Sequence, residues 1–301
     1  MRRASTVDLM LLGTVLLWAL NVTLTRYVVT HGFRPLAYAT TRYLAATVLF
    51  WGFTWQREHT FRIRLSDGRL IALAALLIFV NQVAFVSSVH LTTASTVALI
   101  LGTTPIFVGI IAELVGFERP TRAFWMAAVI SFAGVGLVAG GGRGGFSTDV
   151  LGDVIALAAA ATWAAYSVTI APLMRRYSPF RISALVLALG WIPLALVSIP
   201  LLLDERWTGF GWKMWLAFAY AVLGPLFLTN ILWFTAIDRV GPSRASLFAN
   251  LQPFFGVVFA LLILSEHLNR YEVAGGFAIY AGNVVERARR PAAEPKPVPV
   301  E

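Results

Sequence analysis

Six carboxamides, Asn21, Asn81, Gln82, Asn230, Asn250 and Gln252, each sit inside a long apolar run of the 301-residue chain. Thr103 and Thr104 share that placement, as do the ring-bearing residues Trp18, Trp163 and Tyr166. Carboxamides and hydroxyls are poor nucleophiles, but they offer paired donors and acceptors. Aromatic rings beside them add a π face. The chemistry this set suits is recognition: hydrogen bonds for the polar end of a small solute and a flat apolar surface for the rest of it. All eleven are candidate substrate-binding residues. Taken singly, each has a plainer reading, because serine, threonine and asparagine in apolar helices commonly bond a neighbouring helix. Trp18 or Trp163 alone is more often packing than ligand contact. The set, spread over both halves of the chain, is what points to a shared cavity.

Arg42 joins the candidates. It lies seven residues after Pro35, so in a helix rising 1.5 Å per residue it sits roughly 10 Å below the start. A cation at that depth needs an anion, water or a route to the interface. It either attracts a substrate carboxylate or ties helices together through carbonyls or an acid at the membrane edge, and its position alone leaves both readings open. Of the 15 acidic residues, Asp8, Glu113, Asp238, Glu272 and Glu286 lie near the ends of apolar runs and the others in connections or the tail. None stands at the middle of a run, where proton-driven exchange usually places its carboxylate. His90, at the end of the third run, reads as an interface histidine.

Bond-breaking chemistry finds no footing. There is no HExxH, no pair of mid-run carboxylates and no serine–histidine arrangement in neighbouring runs. The "GGGRGG" stretch lacks the lysine and Ser/Thr of a phosphate loop and reads as a linker. With no cysteine in the chain, disulfides, thiolate metal sites and cysteine nucleophiles are all removed. The expectation is a protein that is not an enzyme and uses no cofactor or metal.

The elements that position these residues follow from composition. Hydrophobic residues make up 58% and charged residues 13% of the chain, and mean hydropathy is +0.75, too apolar for a water-soluble globule. This is an all-α integral membrane protein. Windows of about 20 apolar residues place spans near 7–29, 35–55, 70–90, 93–115, 122–140, 152–172, 180–203, 213–236, 244–265 and 271–287. Ten spans put both termini on one side. That side receives 17 of the 24 Lys and Arg residues, the other side five, and Arg26 and Arg42 fall inside spans. Such asymmetry on short loops predicts cytoplasmic termini in the inner (plasma) membrane. The net charge of +9 is scattered between apolar runs and gathers into no stripe, so nucleic acid is not an expected partner. Arg2 and Arg3 before "LMLLGTVLLWAL" imitate a signal peptide, yet the apolar run continues to Val29 without a small-x-small cleavage site and reads as a retained first helix. Beyond residue 288 the proline-rich end "RPAAEPKPVPVE" reads as a disordered tail over 289–301.

A repeat organises the spans. "ALILGTTPIFVGIIAELVGFE", Ala98–Glu118, matches "SLFANLQPFFGVVFALLILSE", Ser246–Glu266, at six of 21 positions with an offset of 148. Pro105 pairs with Pro253 and Glu118 with Glu266; at the same offset Ser95 meets Ser243 and "FAG" meets "YAG". "LLWALNVT" around Trp18 resembles "AATWAAYSVT" around Trp163 at an offset of 145. The chain therefore divides into halves of residues 1–146 and 147–288, and because five spans is an odd number the second half is inverted. Proline inside a helix removes a backbone bond, so Pro105 and Pro253 should bend the fourth and ninth spans at equivalent depths and free carbonyls for substrate or water. Glu118 and Glu266 then fall on opposite faces, as helix-boundary markers and not as a working pair.

"LLWALNVTLTRY", "PLAYATTRYLAATVLF", "ASTVALILGTTPIFVGIIAELVGFERPT", "FAGVGLVAGG", "LGDVIALAAAATWAAYSVT" and "RASLFANLQPFFGVVFALLILSEHLN" together resemble the EamA members of the drug/metabolite transporter (DMT) superfamily over nearly all of residues 7–287. The resemblance implies ten helices in two inverted EamA repeats, cytoplasmic termini and export of small metabolites through a central cavity. Within the family the chain most resembles the aromatic amino acid exporters. The family pattern also includes an arginine followed by an aromatic, here Arg42 and Tyr43, in the second helix, and an arginine shared by members with different cargoes implies the helix tie rather than the substrate contact. Where small multidrug relatives are expected to rely on a glutamate, the first helix carries Asn21, which favours facilitated export over proton coupling. A proton-coupled drug or cation effluxer and a non-transport receptor on the same fold are the alternatives. Duplication inside one chain makes a monomer in lipid, with a small-molecule substrate, the expected state.

Overall fold

The computed structural model describes residues 6–116, 122–140, 148–233, 235–236, 248–249 and 251–288. An apolar segment away from water must satisfy its backbone internally, and the described segments do so as helix, with no strand among them. The helices are α1 (Thr6–Thr30), α2 (Pro35–Glu58), α3 (Gly68–Leu91), α4 (Ala94–Leu101), α5 (Thr104–Leu114), α6 (Arg122–Gly140), α7 (Thr148–Met174) and α8 (Pro179–Leu203). They continue with α9 (Trp212–Ala221), which runs on through a π-helical segment Val222–Leu228, then α10 (Gln252–Leu264) and α11 (Arg270–Ala288). Six helical stretches are long and apolar enough to cross a bilayer: Thr6–Thr30, Leu65–Leu91, Ala94–Leu114, Val150–Met174, Pro179–Leu203 and Trp212–Trp233. Two shorter apolar helices, Phe124–Val138 and Gln252–Leu264, accompany them. The "GGGRGG" linker beyond Gly140, Glu118, Asn250 and the tail after 288 lie outside the described residues.

The fourth expected span is two helices, not one bent helix. Gly102 N–H donates to Leu99 O at 3.0 Å and Thr103 N–H to Ile100 O at 3.0 Å, tight turns that end α4. Pro105 then falls in the first turn of α5, where its missing N–H costs nothing. The carbonyl an N–H at position 105 would have bonded, Leu101 O, accepts the Thr104 hydroxyl at 2.7 Å instead. The ninth span repeats the device: Leu251 N–H donates to Phe248 O at 2.9 Å, and Pro253 lies in the first turn of α10. Proline here starts a helix; the carbonyl expected to be open at Leu101 is already taken.

The seam between α6 and α11 pairs residues 148 apart in sequence. A Cβ on Gly134 of α6 would stand 2.6 Å from Gly275 O of α11, and one on Gly282 would stand 2.7 Å from Ala127 O. Subtracting 148 from one residue of each pair and adding it to the other converts the first contact into the second. Ser131 Oγ and Ile279 O, related by the same 148, meet directly at 3.5 Å. These residue numbers rise on α6 as they fall on α11, so the equivalent helices are antiparallel about a local two-fold. Backbones approach this closely only across glycine. α4 crosses α10 in the same manner, the Cβ of Ala98 filling the space a Cβ on Gly256 would need. On the other side of the bundle α2 packs on α8, where Trp51 Nε1–H donates to Ala184 O at 3.0 Å and Trp191 Nε1–H to Thr40 O at 3.1 Å. The largest buried cluster gathers on α2, α3, α7 and α8, around Tyr38, Phe50, Ile71, Ile182 and Leu194.

Helix ends are held by acids outside the apolar stretches. Glu266, after α10, accepts Ala94 N–H and Ser95 N–H at 2.9 Å each and the Ser95 hydroxyl at 2.6 Å. A carboxylate on the first amides of a helix satisfies donors with no partner inside it and complements the dipole. Glu266 is thus a boundary residue that also clasps a helix of the other half.

Candidate functional site

Arg42 is 1% exposed and anchors a polar network in the first half. Its Nη2–H donates to Gln82 Oε1 of α3 at 2.7 Å and its Nη1–H to Asn21 Oδ1 of α1 at 3.3 Å. Gln82 Nε2–H donates in turn to Asn81 Oδ1 at 3.0 Å. Asn81 Nδ2–H reaches α7, donating to Ala159 O at 2.8 Å and Thr162 Oγ1 at 3.4 Å. Four helices are joined through side chains that sequence singled out, and Arg42 bonds side-chain amides rather than the carbonyls or membrane-edge acid named for a helix tie. Its acceptors, however, are all neutral. Ion pairs join Arg34 to Asp204, Arg176 to Asp67 and Arg181 to Glu58, and among the described residues no carboxylate pairs with Arg42. The Tyr38 and Tyr43 rings lie 5.0 and 5.7 Å from its guanidinium carbon, and its Nε–H is buried without an acceptor. Desolvating a guanidinium without a counter-charge costs on the order of several kcal/mol, of which two charged hydrogen bonds offset about 1.5–3 each. The centre is therefore cationic and incompletely satisfied, which is an anion-receptive arrangement.

The second group of candidates lies where α1 meets the eighth segment. Trp18 Nε1–H donates to Thr229 Oγ1 at 3.1 Å, and its ring packs 5.1 Å from that of Trp233. Tyr220 O–H donates to Leu17 O at 2.9 Å. Thr229 O–H also donates to Pro225 O at 2.7 Å, and Asn230 Nδ2–H to Leu226 O at 2.6 Å. Both acceptors belong to the π-helical segment around Pro225, whose wider turn leaves carbonyls for side chains to serve.

The remaining candidates divide. Trp163 is 37% exposed and its ring lies 5.4 Å from that of Tyr166, while Tyr166 is half-buried against the main cluster. Thr103 and Thr104 turn their hydroxyls to Ile100 O and Leu101 O, both at 2.7 Å; they serve the helix break and offer no free donor. Gln252 is half-buried in the first turn of α10, beside Pro253. Sequence reasoning passed over Tyr38, Thr162, Thr229 and the π-helical turn. Two of these had a signal: Tyr38 falls four residues before Arg42 on the same helix face, and the Gly224–Pro225 pair marks irregular helix.

At one end of the bundle, where the end of α1 and the start of α9 separate, an aromatic-lined recess of about 270 Å³ opens between Tyr27, His31, Phe210, Trp212 and Met214. Among the described residues no cluster of metal-ligating side chains occurs.

Comparison with known proteins places this geometry. The family model described as the EamA-like transporter family matches residues 5–140 and again 150–285. The uncharacterized transporter YdeK of Bacillus subtilis is 27% identical over 275 residues, 90% of each chain. An uncharacterized transporter of Archaeoglobus fulgidus is 26% identical over 205 residues, covering 66% of this chain and 68% of its own. YyaM of Bacillus subtilis, likewise an uncharacterized transporter, is 25% identical over 288 residues, 92% of each chain. One solved crystal structure superposes with a TM-score of 0.64 over 93% of this chain and 96% of its own; at 19% identity the likeness is one of fold.

Proposed function

This chain belongs to the EamA-like transporter family, whose model covers it twice, and from that premise we propose that it exports amino acids, aromatic and other neutral ones, from the cytoplasm. A multi-pass membrane transporter of this family carries a small solute. The observation that narrows the solute is Arg42, a buried guanidinium whose hydrogen-bond partners are neutral. Its planar fork matches a carboxylate. Asn21 and Gln82 supply carbonyl oxygens suited to an ammonium group once the carboxylate takes over Arg42, and Trp18, Trp163 and Tyr166 supply ring faces for a side chain. A cationic drug would meet a like charge, which disfavours the alternative of a proton-coupled drug or cation effluxer. Other small carboxylate-bearing metabolites fit the same centre and form the second reading.

Ten crossings, cytoplasmic termini and two halves that rock about the broken fourth and ninth spans complete the proposal, with the first, third, fourth, sixth, eighth and ninth spans enclosing a site open to one side at a time. The absence of an acid from the middle of any apolar run makes facilitated flux the simpler mechanism.

The test is counterflow of labelled phenylalanine, tryptophan and threonine in proteoliposomes. Arg42→Gln should lower flux by about 10-fold or more, the value of a charged hydrogen bond. Arg42→Lys should keep part of it, and an imposed pH gradient should leave the wild-type rate unchanged. A monodisperse Arg42→Gln protein with full flux would overturn the carboxylate assignment; flux that follows the pH gradient would restore the proton-coupled reading.

A further inference from the structure

The connection between α2 and α3 and the turn between α7 and α8 meet at one end of the bundle and enclose a second recess of about 550 Å³, lined by Arg62, Ile63, Arg64, Arg175, Arg176 and Tyr177. Four of the six lining residues are arginines. Its walls are braced. Asp67, nearly buried, accepts from Arg176 Nη1–H at 2.6 Å and from the Tyr177 hydroxyl at 2.7 Å, and that hydroxyl oxygen accepts Arg64 N–H at 2.9 Å. Glu58 accepts from Arg181 Nε–H at 2.8 Å and from the Ser178 hydroxyl, while Arg181 Nη1–H donates to Arg62 O at 3.1 Å.

These bonds engage both nearby carboxylates, Asp67 and Glu58, with Arg176 and Arg181. The guanidinium groups of Arg62, Arg64 and Arg175 form no ion pair among the described residues. Three uncompensated forks around one recess match the oxygens of a phosphate group. The flank shows where such a group would come from. Phe61, one residue before the first arginine, stacks 4.7 Å from the Trp51 ring and 6.2 Å from the Trp55 ring, and these two tryptophans are 44% and 56% exposed. Leu65, between the arginines and Asp67, is 97% exposed. A basic recess edged by exposed tryptophan and leucine is the profile of a membrane–water interface, with anions on one side and acyl chains on the other.

We propose that this recess is a binding site for the phosphate headgroup of an anionic phospholipid, held by Arg62, Arg64 and Arg175, with the acyl chains lying along Trp51, Trp55 and Phe61. The site is separate from the Arg42 centre and does not rest on the identity of the transported solute. In the topology proposed above it faces the cytoplasm.

The experiment is titration of the full-length protein in neutral detergent with short-chain phosphatidylglycerol, with phosphatidylcholine and inorganic phosphate at matched ionic strength as separate arms, and native mass spectrometry to count bound lipid. Arg64→Gln with Arg175→Gln should weaken phosphatidylglycerol binding about 25-fold, taking about fivefold per arginine. Arg57→Gln with Arg69→Gln removes the same charge near the same end but outside the recess, and should change binding by less than twofold. These arginine side chains are exposed, so both variants should elute as wild type. Equal losses from the two variants would reduce the effect to diffuse electrostatics and overturn the site, as would phosphatidylcholine binding as tightly as phosphatidylglycerol. Arginine-dependent binding of inorganic phosphate without binding of phosphatidylglycerol would overturn the lipid assignment.

Discussion

Asn81 and Gln82 of α3 and Thr229 and Asn230 of the eighth segment are equivalent positions, 148 residues apart, yet they spend their polarity in opposite directions. The α3 pair reaches across the bundle, to Arg42 on one side and to α7 on the other. The later pair mostly turns inward, donating to carbonyls of its own π-helical segment, and only Thr229 also meets another helix, by accepting from Trp18. Trp18 and Trp163 differ likewise: the first is hydrogen-bonded to Thr229, the second is exposed beside Tyr166. Along the seam of α6 and α11, by contrast, the close backbone approaches at Gly134 and Gly282 correspond at the same offset. The two-fold is kept where backbones touch and abandoned where side chains are free to differentiate. One half acquires a charged network around Arg42, the amide and hydroxyl of the other mostly serve their own helix, and rings come from both. A solute with one ionic end and one apolar end suits that division.

The matched seam gives the largest expected effects. Gly134→Ala and Gly282→Ala each push a methyl into a backbone carbonyl and should each cost about 3 kcal/mol, read as a lowered unfolding midpoint in detergent; clearly unequal losses would break the symmetry. Next comes the unmatched pair. Gln82→Leu strands the Nη2 end of Arg42 and should cost about 2 kcal/mol together with most of the counterflow. Asn230→Leu, its counterpart, should leave flux within about threefold, since a hydrogen bond between groups in apolar helices is worth about 0.6 kcal/mol. If the two variants behave alike, the halves share the work equally and the contrast fails. The smallest effect is Trp18→Phe, about 0.6 kcal/mol for the bond to Thr229, against no change for Trp163→Phe. Because the Thr229 hydroxyl also donates to Pro225 O, Thr229→Val should add a further loss to Trp18→Phe, but less than it costs alone, the shortfall being the energy of the Trp18–Thr229 bond.

Sequence carried the fold further than the site. Apolar windows locate helical segments well because a bilayer leaves the backbone few choices, and the 148-residue offset read from 98–118 is the same offset that relates Ser131 to Ile279. Helix breaks were less legible: proline marks the place, but whether a helix bends or restarts depends on Gly102 and on the threonine hydroxyl beside it. The partners of Arg42 were visible as residue types and invisible as a network, because Asn21, Gln82 and Asn81 come together only through the packing of α1, α2 and α3. Thr103, Thr104 and Asn230 looked the same on paper as Asn81. What separates them is the local carbonyl each can reach, a short-range competition that residue type alone does not decide.

The meeting of Ser131 with Ile279 has a consequence for how such chains change over time. A residue on the local two-fold faces its own counterpart, so a substitution there is answered first at the position 148 residues away. In an alignment of relatives, covariation between positions i and i+148 should concentrate at 131 with 279 and near 103 with 251. It should be absent at 42, whose partners all belong to its own half.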